Sequence, residues 1–274
     1  LERSLFMVME RPSSPSPKPN PNPSSYLNPN PNPNPNQVME RLSGTLAAAL
    51  PSQQVGTPMA TYIAEVRRWP LRRALRVALD LADVLAYCHG SGTIPGVGVM
   101  HRDLKPDNIG FSATDGRLVL FDFGLAKLVP RTEGAVSGTG PLLTAPRPMT
   151  GGVGSPRYMA PEVVLSRPYT FSAEIYSWSI ILWQMVAHDK PFAQLSLAGH
   201  AEGVAKGGLR PPLSKRWPEA LRLLLSSSWE AAAAKRPTFA ELLPRLREIL
   251  RDIDGASVDA DLKALQAIGC LEVK

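Results

Sequence analysis

The sequence predicts an α+β fold that is mainly helical and carries short β-hairpins. Three observations carry this. Between Leu71 and Cys88 the apolar or small positions 71, 75, 78, 82, 85 and 88 recur at three-to-four spacing, the period of a helix with one buried face. Ile109–Phe111 and Leu118–Phe121 are short apolar runs on either side of Thr114-Asp115-Gly116, a hairpin signal. From Ala173 onward the pattern is helical, and Ala173–Ala187 is apolar nearly all round, as a central buried helix must be.

The other elements follow in chain order. Residues 1–11 read as a strand-like N-terminal remnant. Residues 12–36 are a Pro/Asn-rich tract ending in NPNPNPNPN, where repeated proline removes backbone donors, so a disordered insert is expected. VMER stands on both sides of that tract, at Val8–Arg11 and Val38–Arg41. A single folded unit is expected over 37–252 and a tail over 253–274. Glycines at 90, 92, 96 and 98 form a loop, and Val99–Met100 is a short strand. Lys127–Gly154 is rich in Gly, Pro, Thr and Ser and reads as one long surface loop. Glu219–Ser228 and Thr238–Asp252 are amphipathic helices, and one more short helix is expected over Asp261–Ile268.

Composition excludes several classes. Lys plus Arg total 30 against 24 for Asp plus Glu, a formal charge of +6. The arginines read as scattered, and no aromatic-interleaved basic patch appears, so no nucleic-acid partner is expected. Cys88 and Cys270 sit far apart in dissimilar contexts, which fits a reducing compartment and a cytoplasmic location. No stretch reaches the roughly 20 apolar residues of a membrane span. The chain opens on Leu1 rather than Met, so its natural start is expected to lie elsewhere.

Between the strand and the hairpin lies MHRDLKPDNIGF, at 100–111. Asp122-Phe123-Gly124 closes the hairpin, and Gly154-Ser155-Pro156-Arg157-Tyr158-Met159-Ala160-Pro161-Glu162 comes later. In order and separation these segments resemble the HRDLKPDN, DFG and APE motifs of the large lobe of a eukaryotic protein kinase. Lys105, and Tyr176-Ser177-Trp178 with Ser228-Trp229, resemble the serine/threonine-specific, tyrosine-kinase-like group. The resemblance implies a protein-kinase-like fold, with ATP and Mg²⁺ as cofactors and a protein bearing Ser or Thr as substrate.

By that resemblance Asp103 accepts or orients the substrate hydroxyl proton, and Lys105 neutralises charge on the moving phosphoryl group. Asn108 and Asp122 bind the nucleotide through Mg²⁺, to which they offer hard oxygens. Arg102 pairs with an activation-loop phosphate on Thr150, added by an upstream kinase or by autophosphorylation. Ser155 takes a structural hydrogen-bonding role near Asp103. Glu162 forms a buried ion pair with Arg236 of Lys235-Arg236-Pro237.

Some positions depart from the family. Glu174 and Ser179 stand where Asp and Gly are usual. Gly110 stands where a Leu often floors the adenine pocket. The second VMER copy is the expected hinge, with the Glu40 carbonyl and the Leu42 N–H gripping adenine. The equivalent of Leu42 in the first copy is Pro12, which has no N–H. The first glycine is Gly44, and Lys18 is the one lysine before Lys105. The expectation is therefore a small lobe reduced to about one strand and the hinge, and a chain that transfers phosphate weakly or not at all. The alternative is a catalytically inactive scaffold or interaction module.

Overall fold

The computed structural model describes residues 41–52, 57–90, 97–130, 148–152 and 154–267, with side chains through 255. Both the first VMER copy and the Pro/Asn tract lie outside these residues, as does Glu40.

The first described element is strand β1 (Leu42–Thr45), which runs directly into the short helix α1 (Leu46–Ala49), capped by the Thr45 hydroxyl. Helix α2 (Met59–Arg68) follows and then α3 (Leu71–His89), the two joined by Trp69 and Pro70. Proline at the entry of α3 suits a helix start, because its missing N–H has no helical partner there. The apolar stripe read from sequence is the face of α3 that buries Ala74, Leu75, Ala78, Leu81, Ala82, Leu85 and Cys88.

Two small sheets hold the middle of the chain. Strand β2 (Val97–Met100) pairs antiparallel with β5 (Lys127–Pro130). Strands β3 (Ile109–Ser112) and β4 (Leu118–Leu120) form the expected hairpin, and β1 pairs on the outer side of β3. Gly116, with φ +74°, takes the left-handed position of the hairpin turn. The expected loop over Lys127–Gly154 therefore begins as a strand.

The rest is helical among the described residues. It comprises α4 (Pro161–Val164), α5 (Ser172–Ala187), α6 (Leu197–His200) with a π-helical turn at Ala201–Lys206, α7 (Glu219–Ser228) and α8 (Phe239–Ala267). The expected break after Asp252 is absent, and α8 continues to Ala267 in one piece. At the centre is α5, where Tyr176, Trp178, Ile180, Ile181, Leu182 and Met185 are fully buried. Each such side chain is worth about 1.5–3 kcal/mol by area. The Trp178 indole N–H donates to the Ala78 carbonyl at 3.0 Å and ties α5 to α3. No helix of the described residues is long and apolar enough to cross a membrane.

Candidate active site

The site is built where β2 ends and β3 begins. Its centre is Asp103, whose carboxylate receives donors on both oxygens. The Ser155 hydroxyl donates to Oδ1 at 2.9 Å. Lys105 Nζ donates to Oδ2 at 2.8 Å and Asn108 Nδ2 to the same oxygen at 3.1 Å. Asn108 Nδ2 also donates to the Asp103 backbone carbonyl at 2.8 Å, which closes the loop on itself. Four of the sequence-predicted residues thus form one hydrogen-bonded cluster.

Burial on its own would raise the Asp103 carboxyl. The Lys105 and Ser155 hydrogen bonds, the Lys105 charge and the Asn108 amide outweigh it and hold the carboxyl below its ordinary range. At neutral pH Asp103 is therefore an ionised acceptor.

His101 fixes the tilt of the loop. The Asp103 backbone N–H donates to His101 Nδ1 at 3.3 Å, so that nitrogen is the acceptor. Nε2 then carries the proton and donates to the Phe121 carbonyl at 2.8 Å. The Phe121 N–H returns to the Asn108 carbonyl at 3.1 Å. Beside this bond Phe123 is buried, its ring centroid 4.7 Å from that of His101. Asp122 sits at φ 63°, ψ 63°, a left-handed backbone that leaves its carboxylate exposed. Asn108 Oδ1 and the Asp122 carboxylate have no hydrogen-bond partner among the described residues. Two side chains with hard oxygens suit Mg²⁺, which takes few protein ligands and keeps water or phosphate oxygens for the rest.

Glu174, which stands where an Asp is usual, makes two side-chain hydrogen bonds, one to the loop at Arg102 and one to α3. Arg102 has φ 68°, a strained conformation for a residue with a side chain, and its N–H donates to Glu174 Oε1 at 2.7 Å. The extra methylene lets Oε2 reach His89 Nε2 at 2.6 Å. The His89 ring packs tilted against Phe171 and Phe239. Sequence reading gave His89 no role, and no local pattern marks it, because its partner is 85 residues away. Burial would raise the Glu174 carboxyl, but the His89 hydrogen bond and charge and the Arg102 N–H hold it below the usual glutamate value of 4.5. A depressed folded value means that the unfolded chain binds the proton more readily. This stabilisation is present above about pH 4.5 and is lost as the pH falls below it. Glu174→Gln should flatten the acid limb of melting temperature against pH. Equal acid slopes in variant and wild type would assign that limb to other groups.

No hydrogen bond joins Thr150 to Arg102 among the described residues. The Tyr169 hydroxyl donates to the Thr150 carbonyl at 3.1 Å, and Arg102 Nε is buried without a described acceptor. Glu162 and Arg236 form a bidentate pair at 2.6 and 2.9 Å. Gly154, with φ +106°, makes the approach of Ser155 feasible, since a Cβ there would meet the Arg102 carbonyl at 2.6 Å.

The floor position has an answer from across the sheet. A Cβ on Gly110 would lie 2.7 Å from Leu42 Cδ1 and 3.2 Å from Phe121 Cε1. The Leu42 side chain thus fills the space that the glycine vacates. Gly110→Leu should destabilise by about 1–3 kcal/mol through overpacking. Leu42→Ala in the same chain should recover much of that loss, as read from denaturant midpoints.

The family comparisons agree with this geometry. The sequence model described as "Protein kinase domain" matches residues 51–245. "Serine/threonine-protein kinase STY17" of Arabidopsis thaliana is 32% identical over 183 residues, covering 67% of this chain and 28% of that protein. "Serine/threonine-protein kinase 12" of the same plant is 36% identical over 181 residues, covering 65% and 36%. "Serine/threonine-protein kinase TNNI3K" of Rattus norvegicus is 32% identical over 185 residues, covering 67% and 20%. The chain therefore spans little more than a third, at most, of these relatives. With the family model covering most of its 274 residues, the chain belongs to the protein kinase family, alongside serine/threonine members of the tyrosine-kinase-like kind.

Proposed function

We propose that the chain carries the catalytic half of a protein serine/threonine kinase, which transfers the γ-phosphate of ATP to a Ser or Thr hydroxyl of a protein. The observation that carries this reading is the Asp103 carboxylate held by Lys105, Asn108 and Ser155. Asp103 orients the incoming hydroxyl and accepts its proton as the new oxygen–phosphorus bond forms and the bond from the γ-phosphorus to the bridging oxygen breaks, releasing ADP. Lys105 neutralises charge on the phosphoryl oxygens. Asn108 Oδ1 and the Asp122 carboxylate are the ligands offered to Mg²⁺. Bound Mg²⁺ draws charge from the phosphates and orients them. Leu42 offers its backbone N–H to adenine, and Glu40 its carbonyl.

Arg102 supports a regulated form of this activity. A phosphate on Thr150, placed by an upstream kinase or by the chain itself, gives the half-buried Arg102, whose Nε has no described acceptor, an anionic partner. A cytoplasmic location fits the buried free thiol of Cys88.

A non-catalytic interaction module is the second reading. Favouring it, these 274 residues hold no glycine before Gly44 and no lysine between Lys18 and Lys105. The usual phosphate cradle is thus not written in them. One experiment separates the two: incubate the chain with γ-labelled ATP, Mg²⁺ and a mixed Ser/Thr/Tyr peptide pool, then identify the labelled amino acid. Mg²⁺-dependent label on serine or threonine supports the kinase. Absence of both Mg²⁺-dependent nucleotide binding and transfer, by the chain as it stands, supports the module.

A further inference from the structure

Most of the 21 arginines are scattered along the chain, but five of them stand together. Arg67, Arg68, Arg72, Arg73 and Arg76 fall within ten positions where α2 ends and α3 begins, and all five are exposed. Among the described residues one carboxylate pairs with them. Asp254 pairs with Arg72 and lies 3.7 Å from Arg76. The Arg73 guanidinium lies 4.2 Å over the Trp69 ring and donates to the Arg68 carbonyl at 2.9 Å. Arg67 and Arg68 have no side-chain ion-pair partner among the described residues.

The helix that leads into this cluster is inverted relative to an ordinary surface helix. At 100° per residue, Met59, Ala60, Ile63, Ala64, Arg67 and Arg68 share one side of α2, and every one is exposed. Met59 is 58% exposed and Ile63, one turn on, 44%. Tyr62, Glu65 and Val66 on the opposite side are half-buried, and α2 buries no residue fully. A soluble surface helix turns its polar side outward. Here the outward side is apolar and ends in arginine.

We propose that α2 and the first turns of α3 form a docking surface for an anionic membrane. Met59 and Ile63 enter the boundary between headgroups and acyl chains. The five arginines meet lipid phosphates and carboxylates, with their alkyl stems along the surface. An acidic peptide would satisfy the arginines and leave Met59 and Ile63 in water. A lipid surface satisfies both groups at once. This inference is independent of the phosphotransfer reading.

The test is co-sedimentation of the full chain with vesicles of phosphatidylcholine alone or with about 30% phosphatidylserine. The expected result is binding at least about tenfold tighter to the anionic vesicles, largely lost at about 0.5 M salt. Arg67→Gln with Arg68→Gln should weaken it several-fold, and Met59→Gln with Ile63→Gln should do so independently. All four side chains are exposed, so circular dichroism should show an unchanged fold. Equal binding to both vesicle types would overturn the proposal, as would unchanged binding by both variants. Binding to an acidic peptide with none to vesicles would overturn it in favour of a protein partner.

Discussion

Replacing Arg236 by Met should remove about 3–5 kcal/mol of folding stability. The Arg236 side chain has no exposed surface and the Glu162 carboxylate very little, so water replaces little of that pairing. It gives two hydrogen bonds to Glu162, at 2.6 and 2.9 Å, one to the Ser172 carbonyl at 3.0 Å and one to the Glu230 carbonyl at 2.8 Å. Its guanidinium also stands 5.2 Å from the Tyr176 ring centroid. One side chain thus ties α4, the start of α5 and the turn before α8. Methionine has nearly the right volume, so little of the loss comes from a cavity. The cost is the stranded Glu162 carboxylate and two carbonyls without donors. Glu162→Met added to Arg236→Met should recover part of the loss, because two apolar side chains leave no buried charge behind. Chemical denaturation of the single and double variants measures both effects. A single variant within about 0.5 kcal/mol of wild type would show that water or other donors replace the guanidinium.

That ion pair was legible in the sequence because both halves sit in recognisable motifs. Other features were legible for local reasons. The stripe along α3 repeats at the helical period, α5 is apolar on every side, and the β3–β4 turn is marked by Asp115-Gly116. What escaped depends on distant or inverted partners. Lys127–Pro130 reads as loop because its strand character comes from Val97–Met100, some 30 residues upstream. Helix α2 went unread because its apolar side chains face outward, so no core-facing stripe announces it. Gly110 reads as a gap in a floor, and only the packing brings Leu42 over it. The substitution at Glu174 was visible, but its second bond was not, since nothing local to His89 points at α5.

The largest effect on activity belongs to Asp103→Asn, which should lower Mg²⁺-dependent labelling by about 10²–10⁴-fold. The side chain keeps its shape, so the loss is chemical. Lys105, Asn108 and Ser155 all donate to this carboxylate. An amide presents one oxygen to them, turns its NH₂ toward at least one donor, and cannot take a proton from the substrate hydroxyl. The 274-residue chain is expected to work slowly, so the ratio between variant and wild type is the quantity to read. A second measurement separates the base from a merely structural carboxylate. Lys105 is among the groups that hold the Asp103 carboxyl low against the effect of burial. Without that lysine the carboxyl titrates at higher pH. Lys105→Met should therefore move the acid limb of the pH–rate profile upward, in addition to slowing transfer. A limb that stays where it was would mean that Asp103 is not the group whose ionisation the rate follows. Labelling by Asp103→Asn within a few-fold of wild type would remove Asp103 from the chemistry altogether.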